Sequence, residues 1–411
     1  MNKIELLAPA GNLERLRVAC LYGADAIYFA GTRYGLRANA KNFTENDLIE
    51  AVNFAHNLHK KVYITVNITF HNEDVKGLVD YLKFLSSIHV DAIIVSDLQI
   101  IDIMKDNKIN IPIHISTQLS TTNVEAAKYL KEEGVERIVL ARECSKENIK
   151  EIIDETGVQI ECFLHGAMCS SISGRCVLSN YFTNRDANRG ACAQICRWCF
   201  DLYEDGNKIE AEVPFTMSTK DLSLITNLKE MIDIGITSLK VEGRMRSTYY
   251  IATVISTYRE AIDSYYEGTL TEEKIKYYTK ILNRVANRES TSQFFHGIPG
   301  KEGQYFVGRQ ENSNQDFLGI VLDYNDQTKE VTLTQRNYFK KGDSVEVFGP
   351  NIKPFTFTIP DIYDEEGNIL EVANHPEQII KFKLDKKVYS NDMMRVNFLD
   401  KKNDIKWKNL L

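Results

Sequence analysis

The chain has 411 residues, of which 43% are hydrophobic, and its 50 Lys and Arg against 57 Asp and Glu give a net charge of −7. This length predicts two domains, one of them large. The acidic balance excludes a surface that is basic throughout, so any nucleic-acid site must be local. Because no long apolar run or leader-like segment is found, we expect a soluble cytoplasmic protein without a membrane partner.

Short β-rich runs alternate with amphipathic helical stretches from the start of the chain. This alternation is typical of a parallel sheet covered by helices. Glycine turns at Gly23, Gly134 and Gly235 recur just before strands. This weak repeat favours an α/β fold of the closed (β/α)8, TIM-like barrel type over an open doubly wound sheet. The eight predicted strands are residues 4–9, 25–31, 61–68, 91–97, 112–118, 137–143, 160–166 and 238–243.

Polar side chains follow most of these strands. In a barrel the carboxyl ends of the strands meet at one mouth, which is where active sites are built. Any one of these residues could be an ordinary solvated loop residue, but their recurrence at the same end indicates a functional site. They are Asn67, Asp97, Ser116, Gln118, Arg142, Glu143, His165, Glu242 and Arg244.

A long insertion, about residues 167–217, follows the seventh predicted strand. Long insertions in compact domains are usually functional or disordered. This one is rich in Cys, Arg, Trp and Tyr, which argues against disorder. An amphipathic stretch at 222–234 then resumes the helical pattern.

The chain changes character after the eighth predicted strand. Helices are predicted near residues 247–266 and 271–286, which complete a barrel domain over 1–290. Residues 291–304 resemble a polar linker. From residue 305 to 411, β-branched and aromatic runs broken by turns predict a small C-terminal antiparallel β-barrel.

Four cysteines in the insertion are the strongest chemical pattern. Cys169, Cys176, Cys192 and Cys196 have six, fifteen and three residues between them, and Cys199 follows after two more. Reduced thiolates in the cytosol commonly hold zinc or an iron–sulfur cluster. Because the spacing lacks the paired C-x2-C knuckles of a zinc ribbon, it favours a cluster, with zinc and unligated thiols as alternatives.

A second interpretation of the same cysteines concerns radical S-adenosylmethionine enzymes. Cys192, Cys196 and Cys199 have a spacing that resembles the cluster motif of those enzymes. Their motif, however, follows the first strand of a barrel, whereas this one follows the seventh. The radical interpretation is therefore the less favoured alternative.

Arginine is concentrated around the cysteines. Residues 161–199 contain four arginines and no lysine, against Glu161 and Asp186. The planar guanidinium suits bidentate recognition of carboxylates and phosphates, so this segment could hold a small carboxylic acid or an RNA backbone. The alternative is that individual arginines pair with neighbouring carboxylates. The candidate substrate-binding residues are Arg175, Arg189, Arg197 and, after the eighth strand, Arg244.

Several long motifs resemble peptidase family U32, the collagenase-like peptidases. They are ECFLHGAMC at 161–169, GRCVLS at 174–179, NRGACAQICRW at 188–198, ELLAPAG at 5–11 and KVEGR at 240–244. The resemblance covers the whole chain. Within the family, the chain is most similar to members that hydroxylate tRNA uridine.

The resemblance implies a function, cofactors and partners. It implies conversion of wobble uridine in the tRNA anticodon loop to 5-hydroxyuridine, with prephenate as the small carboxylate required. It also implies a 4Fe–4S cluster on Cys169, Cys176, Cys192 and Cys196, with Cys199 outside the family pattern. A paralogous or assembly partner is compatible with it.

Proton transfer and peptidase chemistry depend on the same few residues. Glu161, His165 and Glu242 are candidates for proton transfer. The chain contains neither a G-x-S-x-G elbow nor an H-E-x-x-H motif. A collagenase-like peptidase, which remains the main alternative function, would need His165 to pair with a cysteine.

Overall fold

The structure is a computed structural model that describes residues 3–36, 42–210, 212–286, 288–306 and 315–397. It divides into two compact units, Met1–Asn312 and Ser313–Leu411. Residues 291–304, predicted as a linker, lie within the first unit and include the turns Gln293–His296 and Gly300–Gly303. Parts of the predicted C-terminal domain, 307–314 and 398–411, lie outside the described residues.

Eight parallel strands form a closed barrel in the first unit, which confirms the predicted fold. Each strand pairs with the next, and β8 closes the ring by pairing with both β7 and β1. Most strand residues are buried because helices cover the outside. The strands are β1 Glu5–Pro9, β2 Ala26–Phe29, β3 Lys61–Val66, β4 Ala92–Val95, β5 Ile113–Ile115, β6 Arg137–Val139, β7 Gln159–Gly166 and β8 Ser238–Val241.

Local chemistry fixes many helix ends. Asn12, Asn123 and Ser145 cap the first, fifth and sixth helices through their side chains. Gly23, just after α1, has a φ of +108°, and a Cβ there would lie 2.6 Å from Arg259 Cγ. The helices are α1 Leu13–Leu21, α2 Glu45–Asn57, α3 Leu78–Ser87, α4 Gln99–Asp106, α5 Val124–Glu132, α6 Lys146–Thr156, α7 Leu178–Thr183, α8 Leu228–Asp233, α9 Thr248–Tyr266 and α10 Glu272–Val285.

The segment after the insertion differs from the prediction. Instead of one helix over 222–234, strand Asp221–Ser223 pairs antiparallel with the end of β7. The short turn Ile225–Asn227 and α8 follow. The strand forms because β7 continues past Glu161, where its pairing with β6 ends, and so offers free backbone groups on that edge. This is a tertiary effect that helical periodicity does not reveal.

The insertion contains little regular structure. Its described residues form α7, three single turns and a two-stranded hairpin made of Tyr203–Glu204 and Asn207–Lys208. The turns are Ile172–Gly174, Ala187–Arg189 and Ile195–Arg197. Its geometry is therefore set by side-chain anchors, which are described with the site.

The second unit is an antiparallel β domain, as predicted. Phe357 and Phe382 stack 5.8 Å apart although their strands are distant in the sheet order, so the sheet curves around one core. The eight-stranded sheet has the order Ile352–Thr358, Ser344–Gly349, Met393–Val396, Phe317–Asn325, Glu330–Gln335, Ile379–Lys383, Ile362–Tyr363, Ile369–Leu370, and Phe339–Lys340 pairs separately with Val372–Ala373.

Of the helices that the structure describes, none combines the length and the apolar character that crossing a membrane requires.

Candidate active site

A cavity of about 230 Å3 opens at the carboxyl ends of the barrel strands. Its floor is made by one side chain from each of six strands, namely Tyr28, Thr65, Ile94, Val139, Phe163 and Lys240. Its walls include Cys169, Cys176, Cys192 and Cys196, so all four predicted ligands reach one space. Cys199 is exposed and does not line the cavity.

The insertion covers the barrel mouth and is fixed to three barrel loops. Arg189 forms a bidentate ion pair with Asp74 in the loop after β3, with one contact of 2.9 Å. The Ser173 backbone N–H donates to Glu143 Oε1 at 2.9 Å, after β6. Arg175 Nε donates to the Gln118 carbonyl oxygen at 2.7 Å, after β5. These anchors hold the cysteines above the strand ends.

Three of the four cavity cysteines share a local geometry. The sulfurs of Cys169, Cys176 and Cys192 each accept a 3.4 Å hydrogen bond from the backbone N–H two residues further along the chain. Sulfur ligands of metal clusters accept backbone hydrogen bonds of this kind. The donor set therefore suits a metal centre.

Asn188 fixes the orientation of Cys176. Its side-chain Oδ1 accepts from the Cys176 N–H, and its Nδ2 donates to the Cys176 carbonyl, both at 3.1 Å. Asn188 lies in the quoted family motif, but no role was predicted for it. A side-chain amide that satisfies both backbone groups of one residue is visible only in three dimensions.

Three of the cavity cysteines are close enough for their charges to interact, although they are not gathered around a position for one metal ion. Burial raises the pKa of the Cys169 thiol, and Cys196 and Cys176 raise it further, while the Ser171 N–H and Arg142 lower it. Within the described ranges, no three His, Cys, Asp or Glu side chains are close enough together to hold one metal ion.

A layer of paired charges fills the barrel below the cavity. Glu161 is fully buried and accepts hydrogen bonds from Lys240 Nζ at 2.7 Å and Arg137 Nη1 at 3.3 Å. Arg137 also reaches Glu5 Oε1 at 2.6 Å. Burial by itself would raise the pKa of Glu161, but Lys240 and Arg137 hold it below its usual value. Two carboxylates and two cations therefore balance inside the barrel.

The predicted proton-transfer residues divide into three positions. Glu242 lines the cavity. Glu161 does not line it, but its carboxylate contacts Lys240, which does, and its catalytic role stays a prediction. His165 does not line the cavity either, because its ring packs outside the barrel against Tyr258 of α9, with Nδ1 3.2 Å from the Tyr258 hydroxyl.

A bulge explains the orientation of His165. Regular alternation along β7 would place His165 on the same face as Glu161 and Phe163. The pairing of β7 with β8 shifts register, however, between Lys240 opposite Phe163 and Val241 opposite His165. The additional residue turns His165 outward. Burial, and secondarily Arg246, lower its pKa to about 3.

Of the four arginines predicted to bind substrate, two line the cavity and two do not. Arg197 and Arg244 line the cavity, and Arg244 is buried. Arg175 is exposed outside it, and Arg189 is committed to Asp74. The guanidinium of Arg189 therefore joins the insertion to the loop after β3, and its role in substrate binding stays a prediction.

The sequence alone assigned no binding role to four cavity residues, although Asn67 and Arg142 were among the strand-end candidates. Lys240 could have been found, since alternation along β8 puts it on the same face as Glu242. Arg142 was noted only as a strand-end residue, and its guanidinium lies 3.7 Å from the centre of the Phe163 ring. Arg288, buried beside Asp221, comes from beyond α10 and had no sequence signal. Asn67 has a buried Oδ1 without a hydrogen-bond partner among the described residues.

Fold and site together define a barrel enzyme whose cavity is lined by thiols and cations. The chain belongs to peptidase family U32. The Peptidase family U32 model matches residues 11–305, and the Peptidase family U32 C-terminal domain model matches residues 313–395.

Curated relatives span nearly the whole chain and have two kinds of names. The "tRNA hydroxylation protein P1" of Bacillus subtilis is 51% identical, covering 96% of this chain and 95% of its own. An "uncharacterized protease" of Methanocaldococcus jannaschii is 36% identical, covering 85% and 88%. The "tRNA hydroxylation protein P" of Escherichia coli is 32% identical, covering 91% and 92%.

Proposed function

We propose that this protein is an RNA-modifying hydroxylase that converts the wobble uridine of tRNA to 5-hydroxyuridine. The observation that carries the proposal is that four cysteines and several cationic side chains line the same cavity at the mouth of the barrel. Similarity to two proteins named for tRNA hydroxylation supports the substrate class. Because tRNA is the proposed substrate, we place the protein in the cytoplasm.

The proposed cofactor is a 4Fe–4S cluster held by Cys169, Cys176, Cys192 and Cys196. The N–H groups directed at three of the sulfurs support this assignment. Zinc would need its ligands gathered tetrahedrally around a single ion, and no such group exists among the described residues. A cubic cluster binds each of its four thiolates through a different iron atom, so it does not need them gathered around one ion. When bound, the cluster would supply one-electron redox chemistry.

The proposed second ligand is a small carboxylate, with prephenate as the specific candidate. Lys240 and Arg244 offer buried cationic groups, and Arg142 adds a guanidinium beside Phe163. Asn67 Oδ1 offers an acceptor for a ligand hydroxyl. Calorimetric titration with prephenate should show binding that Arg244→Ala weakens and Arg175→Ala leaves unchanged. Equal loss in both variants would contradict this assignment.

The uridine would reach the cavity from a single-stranded loop. Bases in an anticodon loop are unpaired and can be turned out toward a protein. Glu242, which lines the cavity, is the proposed proton-transfer residue. Glu161 would act indirectly, by holding Lys240 in place.

Peptidase activity is the less supported candidate. It would need an activated nucleophile with a base in reach. None of the histidines that the structure describes lines the cavity, and His165 faces α9. The cavity cysteines therefore have no imidazole beside them in the described part of the chain.

Nucleoside analysis of tRNA tests the proposal. A strain that lacks this gene and any paralogue should lose 5-hydroxyuridine and its derivatives. Complementation with the wild-type gene should restore them, whereas Cys192→Ala should not. An unchanged nucleoside profile in the deletion strain would contradict the proposed function.

A further inference from the structure

We propose that a surface of the insertion, made by the exposed Tyr181 and Phe182 and the half-buried Phe200, stacks the unpaired bases of an RNA loop beside the cavity. We call these three side chains the aromatic platform. The inference rests on the proposed function, and it assigns the surface that holds the RNA while one uridine enters the cavity.

Apolar exposure is concentrated on the insertion. Twenty large hydrophobic side chains are exposed in the described residues, and nine of them lie between residues 172 and 213. Soluble proteins rarely leave such groups together without a partner, so this concentration indicates an interaction surface. The nine are Ile172, Val177, Tyr181, Phe182, Trp198, Leu202, Tyr203, Ile209 and Val213.

The platform is continuous with the cavity through α7. Leu178 and Ser179, at the start of this helix, line the cavity, whereas Tyr181 is 83% and Phe182 48% exposed. The Tyr181 and Phe182 ring centres are 5.1 Å apart, and those of Phe182 and Phe200 are 6.0 Å apart. The two exposed rings, supported by Phe200, offer faces and edges to successive bases.

Charge decides which side of the insertion the RNA follows. Residues 167–200 contain four arginines and one aspartate, a balance of +3. The Arg185 side chain, just after α7, is exposed and has no ion pair or hydrogen bond with another described residue. Residues 201–212 instead carry five carboxylates against Lys208, a balance of −4.

These charges favour RNA on the α7 side and disfavour it on the hairpin. Arginine provides contacts to phosphate, while aromatic rings stack on bases without regard to sequence. A purely apolar protein partner would not require the arginines. The combination of exposed rings with the guanidinium of Arg185, which is unpaired among the described residues, next to a cavity therefore fits a single-stranded RNA loop.

The test is binding of a fluorescently labelled anticodon stem-loop RNA, followed by anisotropy, with a fully paired RNA duplex as the comparison probe. Tyr181→Ala and Phe182→Ala should each weaken stem-loop binding about tenfold, because each removes one stacking partner. Tyr181→Phe should retain affinity. Arg185→Ala should lower the slope of log affinity against log salt by about 0.7.

Tyr203→Ala is the matched control, since Tyr203 is 64% exposed in the same insertion but lies on the acidic hairpin. It should bind the stem-loop as the wild type does. If the Tyr181 and Phe182 variants keep wild-type affinity, or if all three variants lose it equally, the platform is wrong. The platform is also wrong if the wild type binds duplex as well as it binds the stem-loop.

Complementation of the deletion strain with the wild-type gene, read out as 5-hydroxyuridine, distinguishes failure of the aromatic platform from failure of the proposed function. Restored modification together with unchanged binding in the variants would overturn the platform and leave the proposed function standing. A wild type that binds neither RNA and restores no modification would overturn both claims, and it would point to a protein as the occupant of this face.

Discussion

The buried charges inside the barrel affect both the stability of the fold and the position of a cavity side chain. Glu161 is buried between Lys240 and Arg137, and Lys240 in turn forms part of the cavity floor. A buried ion pair contributes little beyond a hydrophobic pair, but removing one partner leaves an uncompensated charge. Glu161 therefore holds Lys240 in place at the cavity floor, and replacing Glu161 should strongly destabilise the fold.

Replacing Glu161 by Gln should lower the free energy of unfolding by about 3–5 kcal/mol, since Lys240 and Arg137 lose a counter-charge in the barrel interior. Urea unfolding followed by circular dichroism measures the change. The control is Glu230→Gln, which breaks a partly exposed pair with Lys146. It should cost about 0–1 kcal/mol. Equal effects of the two substitutions would contradict this account.

His165 should give a pH dependence of stability and not of catalysis. Its folded pKa of about 3 lies below the ordinary 6.5 because burial disfavours the charged ring. Its contribution to stability is therefore fully present above about pH 6.5 and is lost as pH falls from there toward 3.

Urea midpoints at about pH 7.5 and pH 5 test this sign. Wild type should lose more stability on acidification than His165→Asn, which lacks the titrating ring. The change in midpoint between the two pH values is compared, and not the midpoints themselves. The variant also loses packing against Tyr258, which lowers its stability at both pH values. A variant with the same pH dependence as wild type would show that His165 titrates normally in the fold.

At the scale of elements, the insertion depends on anchors because it has little secondary structure of its own. The Asp74–Arg189 pair and the backbone bond from the Thr69 N–H to the Asn188 carbonyl, at 3.0 Å, join it to the loop after β3. Arg189 holds the pKa of Asp74 at about 2, so this anchor is charged on both sides at neutral pH.

Asp74→Asn should loosen the insertion without unfolding the barrel. We expect trypsin to cleave after Arg185 or Arg197 several times faster than in wild type, because local opening exposes the backbone. Mass spectrometry of timed digests locates and counts the cuts. Asp201→Asn, which breaks the exposed hairpin pair with Lys208, should leave the rate unchanged. Faster cleavage in the hairpin variant alone would refute the anchor.

The elements themselves were largely predictable, but their orientations were not. Periodicity and glycine turns identified all eight barrel strands and both long helices after β8. The strand Asp221–Ser223 was missed because it depends on pairing with β7. The outward turn of His165 was missed because a single extra residue in β7 reverses the alternation.

At the scale of the whole molecule, the barrel brings together residues that are far apart in sequence. Asn67, Cys169, Lys240 and Arg288 line one cavity although they span more than half of the chain. Sequence spacing could identify the cysteines, and the barrel rule could place strand-end groups at the mouth. Arg288 and the Asn188 contact with Cys176 depend on tertiary packing, which leaves no periodic or compositional trace in the sequence.

Iron and acid-labile sulfide per chain, measured with the absorption spectrum of anaerobically purified protein, test the central claim most directly. The wild type and Cys199→Ala should both be brown and contain about four irons per chain. Single alanine substitutions of Cys169, Cys176, Cys192 or Cys196 should each lose most of that iron. A colourless wild type that carries one zinc ion, or a Cys199→Ala variant that loses its iron, would contradict the four-ligand cluster at the barrel mouth.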